Sequence, residues 1–137
     1  MDNNQDYCSY ELSKALKACG FDEPCDHCYA KTSDSEYEFV QMTTSRDYNK
    51  QRDGEPSFLS PICSAVPLWQ AQKWLREKGI AVSVQANEIQ GELWYSADII
   101  TTEGINELVD GGFDYMDYEA ALSAGISAAL ELIKKGE

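Results

Sequence analysis

The chain predicts an α+β fold in a single domain, with three helices packed on an antiparallel or mixed sheet. Three observations carry this. Residues Pro67 to Val84 hold a helix start, an amphipathic helix, a glycine stop and an alternating strand in succession. A similar amphipathic segment ending in glycine lies 59 positions upstream, so that Leu12, Ala15, Leu16, Gly20 and Phe21 fall on Ala71, Trp74, Leu75, Gly79 and Ile80. Helical and strand-like stretches also come in runs, where a doubly wound sheet would alternate them strictly. The shifted match is what a duplicated helix, strand, strand unit would leave; two short amphipathic helices that both end in glycine would leave it too. At 137 residues the chain can bury about two thirds of its unfolded surface, enough to fold without disulfides or metal.

The central helix is predicted over Pro67 to Lys78. Pro67 suits a first turn, where its missing N–H has no partner to lose, and Gly79 suits the left-handed residue after the last turn. Leu68, Ala71, Trp74 and Leu75 form one apolar stripe. Ile80, Val82 and Val84 then alternate with polar or small residues, the period of a strand covered on one face. Trp69 lies about 100° from Leu68, toward Lys73 and Arg76. It must be covered by another segment or stand open as an interface with those two cations. Phe58, Leu59 and Ile62, just upstream, favour the covered reading.

The remaining elements follow in order. Residues Met1 to Tyr7 are polar and expected to be loose. Ser9 can cap a helix running to Cys19, with Cys19 on its core face, and Gly20 with Phe21 can close it. Cys25 to Lys31 and Tyr37 to Met42 read as a hairpin around Thr32 to Ser35. Residues 43–61 read as a long loop, open to interruption by a short strand. Gly91 to Ile100 is the strand that pairs with the one after the central helix, through a turn at Asn87 to Gly91. A further hairpin, Ile105 to Val109 with Phe113 to Met116, is expected around Asp110-Gly111-Gly112. Asp117 can cap the last helix, which runs to Lys135, where Lys134 and Lys135 suit its C-terminal dipole. Gly125 inside that helix costs about 1 kcal/mol relative to alanine, so it is expected to let the helix lie close to the sheet.

Composition narrows function by exclusion. The formal charge is −13, and from Gly79 to Ile133 there are ten carboxylates and no Lys or Arg. Phosphate backbones and anionic membranes call for cations, so direct nucleic-acid binding and membrane binding are not expected. An acidic surface serves solubility, or mimics a phosphate backbone to occupy a basic partner. No signal peptide or membrane span is legible, which makes a cytoplasmic chain the expectation. The five cysteines then read as reduced thiols, with no disulfide between Cys25 and Cys28.

Few residues suggest chemistry. Cys25, His27 and Cys28, with Cys19 upstream, are the only cluster of metal-ligand types, yet on a strand Cys25 and His27 share a face that Cys28 does not. Asp110, Asp114, Asp117 and Glu119 crowd a glycine turn but depart from a calcium-loop spacing. The sole histidine has no G-x-S-x-G nucleophile to serve, and no glycine-rich phosphate loop follows a strand. No catalytic residue, cofactor or metal is therefore assigned.

Three blocks, LSKALKACGFDEPC, PLWQAQKWLREKGI and YEAALSAGISAALELI, resemble a family of small uncharacterised proteins of phages and Bacteroides-type bacteria. The resemblance implies a bacterial or prophage cytoplasmic protein and supplies no catalytic residue. The expected function is thus a non-enzymatic, acidic interaction protein of phage or mobile-element type, with Trp69, Lys73 and Arg76 as candidate interface. Its partner is an unidentified protein, and a homo-oligomer stays open. The alternatives are a nucleic-acid mimic, and a metal protein or enzyme using Cys25, His27 and Cys28.

Overall fold

The computed structural model describes residues 4–50, 59–111 and 115–136. Among these described residues three α-helices and two antiparallel three-stranded sheets make an α+β fold. It divides into two compact units, Met1–Pro67 and Leu68–Glu137.

The first unit opens with helix α1 (Tyr10–Ala18). Ser9 is its extended N-cap, and its hydroxyl accepts the Leu12 N–H at 3.1 Å. At the other end Gly20 has φ +94°, its N–H bonds Lys17 O, and the Phe21 N–H reaches back to Leu16 O at 3.0 Å. That is the Schellman ending expected at this glycine. Strands β1 (Cys25–Thr32) and β2 (Glu38–Arg46) form the hairpin, and β3 (Leu59–Ser64) pairs with the other side of β1. Thr32 Oγ1 accepts the N–H groups of Asp34 and Ser35 and so fixes the hairpin turn.

Strands therefore reach into both ends of the segment read as a loop. After β2 the chain is held by side chains: Asn49 donates to Phe21 O and accepts from Ser64 N–H, each at 2.8 Å. Residues 51–58 lie outside the described residues. Residues 1–3 lie outside the described residues, but residues 4–8 are more ordered than their composition suggests. Asn4–Asp6 form a 3-10 turn, Tyr7 bridges Pro67, and the Cys8 N–H bonds Val66 O at 2.7 Å.

The second unit contains α2 (Leu68–Glu77), β4 (Ile80–Ile89), β5 (Glu92–Thr101), β6 (Asn106–Leu108) and α3 (Tyr118–Lys135). Helix α2 buries Leu68, Ala71, Trp74 and Leu75, the predicted stripe. Pro67 precedes the first helical residue instead of occupying the first turn. Gly79, at φ +86°, ends the helix with its N–H on Arg76 O. A tight turn joins β4 to β5: Gln90 and Gly91 both have positive φ, at 53° and 84°, as a two-residue type I′ hairpin requires. Both helices pack on β4, and α3 also covers β5.

Gly125 meets the sheet as the sequence suggests. A Cβ there would overlap Val82 Cγ1 and lie 3.1 Å from Ala97 Cβ. The hairpin expected around Asp110 does not form among the described residues. β6 pairs with β5 instead, and Tyr115 bridges Tyr95. Val109–Gly111 is a 3-10 turn in which Asp110 takes φ +53°, and residues 112–114 lie outside the described residues. Asp117 has the extended N-cap backbone but makes no side-chain capping bond.

A helix followed by an antiparallel hairpin occurs once in each unit, as the shifted match predicts. The third strands break the likeness. β3 joins the first strand of its hairpin, making β1 central, whereas β6 joins the second, making β5 central.

Candidate interaction site

Trp69 is 63% exposed, and Lys73 and Arg76 are exposed on the same side of α2, four and seven residues on. The buried stripe of α2 holds the backbone that carries them. The expected cover for the indole is Phe58, Leu59 and Ile62. Leu59 and Ile62 belong to β3, where Leu59 packs beside the cluster of Cys28, Ala30 and Tyr48, and the Ile62 carbonyl accepts Lys17 Nζ at 2.7 Å. Both belong to the first unit, and Phe58 lies outside the described residues.

The metal-ligand candidates are used otherwise. His27 is 3% exposed, with its ring stacked on Phe39 (centroids 4.8 Å, 16° between planes) and its Nδ1 3.3 Å from the Tyr7 hydroxyl. Cys28 packs with Ala30 and Tyr48, while Tyr29, next along the strand, joins the rings around His27. Among the described residues no three His, Cys, Asp or Glu side chains are grouped to hold a metal ion. Burial pushes the Cys25 thiol up to about 12 and the Cys63 thiol up to about 11, and Cys8 is raised further by burial and by Cys25. Thiols are nucleophiles and metal ligands as thiolates, so these three are chemically quiet at neutral pH. Cys19 differs from its expected core position: it is the C-cap of α1 and only half-buried.

The same holds of the acidic turn: among the described residues it groups no three side chains to hold a metal ion. Asp110 accepts a hydrogen bond from the Tyr115 hydroxyl, and Asp117 sits at the start of α3. Asp114 is outside the described residues. On the second sheet, register places Glu88 and Glu107 on one face and Glu92 and Asp98 on the other. A backbone mimic calls for a single row, which these four do not make.

Sequence reasoning missed the aromatic layer of the first unit. Tyr10 stacks on Tyr37 at 3.9 Å, Tyr29 meets both, and Phe39 links Tyr29 to Tyr7 and His27. The alternation of Tyr37 with Phe39, and of His27 with Tyr29, was its only signal.

No family model, curated protein or solved structure matches the chain.

Proposed function

We propose that this chain is a non-enzymatic interaction protein that binds a protein partner through the exposed face of α2. The exposure of Trp69 beside Lys73 and Arg76 is the observation that supports this. Tryptophan and arginine are enriched among the residues that dominate binding energy. A chain with 24 carboxylates against 11 cations has few positive patches to spare, and this one flanks its most exposed tryptophan. The partner surface that fits is an apolar pocket rimmed by carboxylates.

A cytoplasmic, phage-type setting belongs to the same proposal. Among the described residues no helix is long and apolar enough to cross a membrane. The test is photo-crosslinking from position 73 in bacterial lysate, comparing the otherwise native chain with Trp69→Ala and with Arg76→Glu. A discrete adduct that both variants lose supports the proposal. Equal adducts in all three overturn it.

A further inference from the structure

Among the described residues each sheet leaves two edge strands, and three of the four edges are blunted. Pairing between β1 and β2 is interrupted by a register shift between Cys25 and His27. β3 contains Pro61 and meets a second shift at Tyr29/Ala30, and β6 is three residues long. Bulges, prolines and short strands are the usual devices against strand addition. The fourth edge, β4, has none of them. Its ten residues pair with β5 without a shift, it lacks proline, and Ile80 to Asn87 carries no charge.

The hairpin fixes which backbone groups this edge offers. In a two-residue hairpin the closing pair, here Ile89 and Glu92, exchanges both hydrogen bonds. Every second residue back from Ile89 therefore faces β5, and Ile80, Val82, Val84, Ala86 and Glu88 direct N–H and C=O outward. Two bonds agree with this phase. The Thr102 N–H donates inward to Gly79 O at 3.0 Å, and Gln72 Nε2 donates from α2 to the outward Val82 O at 2.8 Å. Gln72 thus occupies the Val82 carbonyl and leaves the outward set Val84, Ala86 and Glu88, centred on Ala86.

We propose that this edge pairs with a second copy of the chain, β4 against β4 and antiparallel, about a twofold axis at Ala86. Ala86 then exchanges both backbone bonds with Ala86 of the other copy, and Val84 does so with Glu88. The side chains suit that register. Glu88 lies opposite Val84 instead of another carboxylate, and Gln85 lies opposite Asn87. Two chains of charge −13 repel over most of their surfaces, and the uncharged stretch of β4 lets them approach at least cost. One pair of strands is a small interface, so the dimer forms with rising concentration and is favoured by salt, which screens the repulsion.

The test is sedimentation equilibrium of the full chain over a concentration series at low and high salt. The expected mass climbs from 15.3 kDa toward twice that value, further at high salt. Ala86→Pro removes the outward N–H without touching the β4/β5 ladder, and Ala86→Lys sets two ammonium groups at the axis with the backbone unchanged. Each is expected to weaken association by about tenfold or more. If the proline variant does not fold by circular dichroism, the lysine variant alone decides. A wild type that stays at 15.3 kDa throughout, or a folded variant that associates as well as wild type, overturns the proposal.

Discussion

Gly125 of α3 lies against Val82 of β4 so closely that even a methyl group would overlap the valine side chain. Gly125→Ala should therefore destabilise the protein although alanine is the better helix former. The propensity gain is about 1 kcal/mol, and overpacking a core costs about 1–3 kcal/mol. Urea denaturation should show a lower midpoint for Gly125→Ala, and Val82→Ala in the same chain should return part of the loss. A midpoint raised by Gly125→Ala alone would show that the contact yields freely.

The two N-caps should respond differently to the same change. Ser9 uses its hydroxyl on the Leu12 N–H, and Asp117 makes no such bond. Ser9→Ala should cost about 1 kcal/mol. Asp117→Ala should cost only the smaller dipole interaction, about 0.5 kcal/mol. Equal losses in chemical denaturation would contradict the assignment.

Thiol burial has a pH signature. Burial raises Cys25 from 9.0 to about 12 and Cys63 from 9.0 to about 11. Because the folded values lie above the unfolded ones, this stability is fully present below pH 9.0 and is lost as pH rises through about 11 to 12. The melting temperature should fall over that window, and less steeply in Cys25→Ala. In native alkylation at neutral pH, Cys19 should react first, ahead of buried Cys8, Cys25, Cys28 and Cys63. Uniform labelling of all five would contradict the burial pattern.

Two tryptophans five residues apart on α2 should behave as opposites. Trp74 is 5% exposed with Lys78 Nζ over its ring, and Trp74→Ala should cost about 3–5 kcal/mol. Trp69→Ala should change stability by no more than about 0.5 kcal/mol, as exposed substitutions do. A large loss at Trp69 would restore the covered reading of that residue.

What was legible in the sequence is local. Gly20 and Gly79 announced their helix ends, because a left-handed residue after an amphipathic run has few alternatives to glycine. The long β4/β5 hairpin was legible through alternation, and Gly125 through its cost inside a helix. The errors lie where a long-range partner decides. Asp110-Gly111-Gly112 carries a hairpin signature, but β5 offers a free edge to which both β6 and Tyr115 bind. Leu59 and Ile62 looked available to cover Trp69 because nothing local marks β3 as a strand. Trp69 is out of phase with the buried stripe of its helix, and that much is visible in the spacing alone.

The aromatic residues are also divided unevenly along the chain. All three tryptophans, at positions 69, 74 and 94, fall in the second unit, whereas five of the eight tyrosines fall in the first. Emission excited at wavelengths that only indole absorbs therefore originates in residues 68–137. The stacked rings of Tyr10 and Tyr37 lie in the first unit, where such coupling is expected to add near-ultraviolet ellipticity. Indole emission and near-ultraviolet ellipticity thus weight the two units differently, and a melt followed by both will show whether they lose structure in one step or two.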